Sequence, residues 1–149
     1  MIRRFRFEDE VHHKLACVPM AVRRKLDRVG VKVSLEQWQA LAHYERLAIC
    51  HLPSTADDER DALRSFIEEA VRARSGVAAK ALPDEVMRSA QPPAAPPQTL
   101  VENARAAGIA LGQPAWDRLD EDERYALIKL GGGAERGHNF VAALRELIG

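Results

Sequence analysis

An all-α fold, built as two similar multi-helix halves, is what this sequence predicts, and three observations lead there. The segment "WQALAHYERLAICHL", Trp38 to Leu52, returns in skeleton as "WDRLDEDERYALIKL", Trp116 to Leu130. Apolar residues recur at helical spacing, as Val22, Leu26 and Val29 do, and again as Leu63, Phe66, Ile67, Ala70 and Val71 do. Strand-like alternation is confined to "RRFRF", with Phe5 and Phe7, and one five-residue piece cannot make a sheet alone.

Setting Trp38 on Trp116 fixes an offset of 78 residues, which without a gap also pairs Gly30 with Gly108, Leu41 with Leu119, Glu45 with Glu123, Arg46 with Arg124, Ala48 with Ala126 and Leu52 with Leu130. Val31 and Val33 fall on Ile109 and Leu111. The expectation is an internal duplication within one compact domain over residues 1–149. A first helical half covers 17–75, a Pro/Ala-rich linker 76–98 and a second half 99–149. Residues kept twice at one spacing are better explained by shared packing than by a single active site. Trp38 and Trp116 therefore read as core anchors, and the Glu-Arg pairs as helix caps or ion pairs.

Each element has a local reason. "AVRRKLDRVG" is a helix with Gly30 where a left-handed cap belongs. Ser34 with Gln37 has the spacing of a capping box, and Trp38 and Leu41 follow on the inner face. A further helix runs to about Leu52, where Pro53 ends it. "TADDERDALRSFIEEAVRARSG" carries acids in its first turn, Arg72 and Arg74 in its last and Gly76 beyond, the polarity a helix dipole favours. The stretch 76–98 holds Pro83, Pro92, Pro93, Pro96 and Pro97 and reads as extended, with a turn of helix around Asp84 to Ser89. In the second half "TLVENARAAG" mirrors the first helix, Gly112 precedes an early helical proline, and Asp120 with Glu123 forms a cap. "HNFVAALRELIG" closes the chain as a helix.

The bulk numbers place the chain among ordinary globular proteins, with 46% apolar and 30% charged residues in 149. Twenty-two basic and twenty-two acidic side chains cancel, so no overall field draws the chain to nucleic acid or an anionic membrane. The balance hides an asymmetry: residues 1–33 hold nine Lys or Arg against four acids, and the remainder carries the equal and opposite excess. A dipolar chain of this kind can orient on an acidic partner, although such an excess is more often a solvated face. "MIRRFRFEDE" has charge without an apolar run, and no segment approaches the roughly 18 apolar residues of a membrane span. The expected place is the cytoplasm, where Cys17 and Cys50 stay as thiols.

Whatever is specific should lie in what the halves do not share. His12, His13, Cys17, Cys50 and His51 are weak metal-ligand candidates, because H-H-x3-C with a distant C-H matches no standard zinc spacing. Cys17 has Arg23, Arg24 and Lys25 in sequence reach, but the sequence nominates no base or oxyanion donor for it. "VRRKLDRVGVKVSLEQWQAL" has a helix-turn-helix outline, against which Glu36 and the inward Trp38 both count. "GGGAERG" lacks the P-loop pattern and reads as a helix connection. No catalytic constellation emerges, and no cofactor is required.

The strings F-x-F-E, then L-x-C-[VI]-P-M-x-V-R-x-K-L-D-x2-G-[VI]-K, then Q-W are carried here by Phe5, Phe7, Glu8, Leu15, Cys17, Val18, Pro19, Met20, Val22, Arg23, Lys25, Leu26, Asp27, Gly30, Val31, Lys32, Gln37 and Trp38. In them the chain resembles the nitrate reductase-associated protein family, and "ERYALIKL" and "NFVAAL" resemble that family's C-terminal segment. The resemblance implies a non-catalytic accessory protein of assimilatory nitrate reductase, a molybdenum cofactor and iron–sulfur enzyme, and supplies no catalytic residues. It leaves two alternatives behind it, a helix-turn-helix-like DNA-binding regulator and a small metal-binding redox carrier. The residues expected to border the partner surface are Phe5, Phe7, Pro19, Met20, Arg23, Arg24 and Lys25. Reversing Arg23 and Arg24 to Glu is then expected to weaken partner binding at unchanged stability.

Overall fold

The computed structural model describes residues 2–149, and among them it is mainly helical, with ten α-helices and one two-stranded ladder. They form two compact units: residues 2–4 with Glu10–Ala90, and Phe5–Asp9 with Gln91–Gly149.

The first unit takes all but the first residue of α1 (Asp9–Lys14), then α2 (Met20–Val29), β1 (Val31–Lys32), α3 (Leu35–Ala40), α4 (His43–His51), α5 (Asp57–Ser75), β2 (Lys80–Ala81) and α6 (Asp84–Ser89). Gly30 ends α2 at φ 80°, and its N–H donates to the Leu26 and Asp27 carbonyls at 3.0 and 3.2 Å. Left-handed backbone costs any residue with a Cβ about 1–2 kcal/mol. Here a Cβ would also lie 2.9 Å from Met87 Sδ on α6. Ser34 and Gln37 cap α3 reciprocally at 3.1 and 3.0 Å. The core gathers Val22 and Leu26 of α2, Trp38 of α3, Ile49 of α4 and Leu63, Ile67 and Val71 of α5. Burying a Leu or Ile side chain completely contributes about 1.5–3 kcal/mol.

Antiparallel pairing sets Val31 opposite Ala81 and Lys32 opposite Lys80. The ladder is extended by the Leu82 N–H donating to the Gly30 carbonyl at 2.9 Å. Two-residue strands show no alternation, which is why the sequence reads as a connection between helices at one and as linker at the other. Residues 76–90 are carried in this unit, with α6 where a helical turn was expected.

The second unit has a 3-10 turn at Arg6–Glu8, then α7 (Gln98–Ala106), α8 (Gln113–Asp117), α9 (Glu121–Gly131) and α10 (Phe140–Leu147). The extended structure suggested by Phe5 and Phe7 forms no strand: Phe5 has extended backbone, and the chain turns at Arg6–Glu8. Glu146 of α10 accepts the Arg6 and Phe7 backbone N–H groups at 3.2 and 3.0 Å, which satisfies a turn rather than a ladder. Helices α7 and α10 pack on α9, with Trp116, Leu127, Phe140 and Leu144 buried. Gly131 meets the Phe140 ring with no room for a Cβ. No helix among the described residues is long and apolar enough to cross a membrane.

Gly30→Ala should lower stability by about 1–2 kcal/mol from backbone strain alone, plus a further loss from the Met87 contact. In a Met87→Ala background, chemical denaturation should show that only the second part disappears. Gly108, at φ 84° with open space around it, supplies the strain-only comparison.

Candidate functional site at the start of α2

The residues met twice in the sequence make the same bonds in each unit. Trp38 Nε1 donates to the Leu15 carbonyl at 2.7 Å, and Trp116 Nε1 to the Pro93 carbonyl at 3.0 Å. Arg46 Nε donates to the Trp38 carbonyl at 3.1 Å, and Arg124 Nε to the Trp116 carbonyl at 3.1 Å. Glu45 accepts the Ala42 N–H, and Glu123 accepts the Asp120 N–H, each at 2.8 Å. Asp120 completes a reciprocal box by accepting from the Glu123 N–H, whereas Ala42 has no side-chain acceptor to do so. These four charged residues serve backbone groups, so their chemistry is architectural in both units.

The expected partner residues are divided between the two units. Phe5 and Phe7 belong to the second unit, where Phe5 is wholly buried and stacks on the half-buried Phe7 with ring centroids 5.1 Å apart. The other five run from Pro19, just before α2, to Lys25 in its middle, in the first unit. Pro19 is buried and accepts the Arg23 N–H on its carbonyl at 2.9 Å. Arg24 is 7% exposed, and its Nε donates to the Ala90 carbonyl at 2.8 Å. Lys25 Nζ donates to the carbonyls of Ile49, Cys50 and Leu52 at 3.0, 2.8 and 2.5 Å, closing the end of α4 with a cation where the helix dipole favours one. Met20 is half-buried and Arg23 is exposed. The expectation that reversing Arg24 leaves stability unchanged is therefore corrected. Its guanidinium is packed against a carbonyl, and Glu in its place would leave that buried acceptor without its donor.

The soft donors also separate. Cys17 and His13 are exposed, His12 is half-buried, Cys50 is buried and His51 is exposed at the end of α4. Among the described residues no three His, Cys, Asp or Glu side chains are placed to hold a metal ion together. His12, His13, Cys17, Cys50 and His51 thus form no shared ligand set. Sequence reasoning missed the cations that do face solvent together, Lys32 and Lys80, because a two-residue ladder leaves no periodic signal.

The model of the conserved nitrate reductase-associated protein family matches residues 4–147. The chain belongs to that family. No curated protein and no solved structure matches it. The matched span takes in both units and the start of α2.

Burial pushes the Cys50 thiol above its ordinary value, with the Lys25 ammonium pulling the other way. The folded chain therefore holds this proton more tightly than the unfolded chain. The resulting stability is complete below the unfolded thiol's pKa and is lost as pH rises through the raised folded value. At about pH 8, iodoacetamide should label exposed Cys17 at least tenfold faster than Cys50, and urea should abolish the difference. Peptide mapping by mass spectrometry measures both rates.

Proposed function

We propose that this protein is a non-catalytic accessory protein of assimilatory nitrate reductase, supporting the enzyme's maturation or activity by direct protein contact. The observation that carries the proposal is the family match over residues 4–147, since the family's own description is association with nitrate reductase. The proposed contact surface centres on exposed Arg23 with half-buried Met20 beside it. Arg24 and Lys25 support that helix from beneath by their bonds to backbone carbonyls.

An internal duplication underlies this arrangement in the same proposal. Its support is the offset of 78 residues, which relates the starts of α2 and α7, of α3 and α8, and of α4 and α9. The carbonyls that receive the two indoles, Leu15 and Pro93, stand at the same offset. The duplicated part is scaffold, and the reductase-facing residues lie where the copies differ.

The helix-turn-helix alternative needs α3 as its reading helix. That helix has six residues, "LEQWQA", with no Lys or Arg to meet phosphate and with Trp38 wholly buried. The redox-carrier alternative needs converging donors, and its five candidates do not converge. Both facts favour the accessory reading.

A tagged pull-down from nitrate-grown cells, with bound proteins identified by mass spectrometry, tests the proposal. Nitrate reductase should be recovered with the wild-type chain. Arg23→Glu should reduce its recovery about fivefold or more, as loss of a rim charge slows association, without moving the thermal midpoint. Arg24→Glu should instead destabilise the fold by about 1–3 kcal/mol through the orphaned Ala90 carbonyl. Full recovery with Arg23→Glu would sink the proposed surface, and no reductase with the wild-type bait would sink the stable-contact reading.

A further inference from the structure

The cleft bordered by β1, α3, the end of α5 and β2 holds about 600 Å³, and its walls include Lys32, Glu36, Gln37, Arg74, Val77 and Lys80. Three cations face one acid. The antiparallel register places Lys32 directly opposite Lys80, and directly opposed side chains in such a pair start with Cβ atoms about 5 Å apart. Like charges at that spacing repel. Both ammonium groups are exposed, and neither makes an ion pair with another described residue. Arg74 is held differently: its guanidinium donates to Tyr44 Oη and Glu45 Oε1, each at 3.0 Å, which fixes it at the rim and offsets part of its charge. The floor is fixed too, since Gln37 Nε2 donates to the Val77 and Ala78 carbonyls at 3.4 Å. Above that floor the Val77 side chain is 62% exposed.

We propose that this cleft is a docking site for an acidic, partly apolar segment of a partner protein, whose carboxylates are received by Lys32 and Lys80 and whose apolar side chain covers Val77. The arrangement converts a repulsive ladder pair into a chelate for carboxylate oxygens. A bound carboxylate removes the repulsion that the free chain bears, so the binding energy is largest where the unliganded ladder is weakest. A nucleic acid fits less well. Glu36 stands on the wall, only two cations are uncompensated, and an exposed valine offers nothing to a phosphate chain. The proposal does not depend on the reductase contact at Arg23, which lies on α2 and forms no part of these walls.

The test uses the full ¹⁵N-labelled chain titrated with the capped peptide Glu-Asp-Leu-Glu-Asp at low ionic strength, followed by amide chemical shifts. Saturable shifts should be confined to residues 32–37 and 74–80, and added salt should weaken them. The double variant K32E/K80E should lose at least about tenfold in affinity, the scale of one lost charge-assisted contact. Its spectrum elsewhere should be unchanged. The single variant Lys80→Glu, which sets opposite charges across the ladder, should fold at least as stably as the wild type while also losing peptide. Absence of localised shifts would overturn the proposal. So would equal binding by the uncharged peptide Gln-Asn-Leu-Gln-Asn, tighter binding of a DNA duplex at the same residues, or shifts traceable to self-association of the chain.

Discussion

A tryptophan buried to zero exposure brings its indole N–H with it, and that donor must find an acceptor or cost the fold a full desolvation penalty of about 1–3 kcal/mol. Each unit solves this with a carbonyl 23 residues upstream, at Leu15 for Trp38 and at Pro93 for Trp116. Much else follows from that one bond. Leu15 is drawn into left-handed backbone at φ 53° while 2% exposed, and its carbonyl also receives Arg46 Nη1 at 3.4 Å. The Trp38 carbonyl in turn accepts the Leu41 N–H at 3.2 Å and Arg46 Nε at 3.1 Å. Trp116 accepts the Leu119 N–H and Arg124 Nε in the same manner, both at 3.1 Å. The spacing W-x2-L-x3-E-R is therefore a closed circuit of donors and acceptors. Its Leu and Arg end one helix, and its Glu begins the next.

That circuit explains what could be read from the chain and what could not. Caps and left-handed glycines are local: Ser34 with Gln37, Asp120 with Glu123, and Gly30 and Gly76 each act within a few residues, so their spacing exposes them. The long apolar stripe of α5 was equally legible, because its burial follows its period. The partners of Arg24 and Lys25 were not. Their acceptors lie 66 and about 25 residues away and are backbone carbonyls, which carry no side-chain signature. Counting charge in residues 1–33 treated every cation as available to a partner. In the folded chain Arg24 and Lys25 are engaged in architecture, while Arg23 and Lys32 face solvent. The β1–β2 ladder escaped notice for a related reason, since pairing between residues about 50 apart along the chain needs no periodic pattern when each strand has two residues.

The same distinction narrows where recognition can occur. Among the described residues no buried side-chain nitrogen or oxygen lacks a hydrogen-bond partner, so the interior offers no strained polar group awaiting a ligand. The cations proposed for recognition are instead ones that the fold leaves at its surface. Arg74 is held by Tyr44 and Glu45, while the ladder fixes the backbone from which Lys32 and Lys80 project. A side chain held as Arg74 is loses less conformational entropy on binding than a free surface side chain does.

The differences between the proposed copies point to the first unit as the specific one. Lys25 and Asn103 stand 78 residues apart, and both direct a side-chain nitrogen to carbonyls near the end of the second helix downstream, Ile49, Cys50 and Leu52 at the end of α4 in one case and Gly131 and Gly133 at the end of α9 in the other. The cap is retained while the charge is not. The first unit also has the 19-residue α5 and the ladder beside it. In the second, the last helix has eight residues, and its Glu146 is occupied with the Arg6 and Phe7 backbone. Each proposed copy keeps its own packing residues, so the differences between them lie on the surface and at the helix ends. The first unit joins the first of the proposed copies to a cationic cleft and to the exposed Arg23, a combination that suits the proposed recognition of an acidic partner.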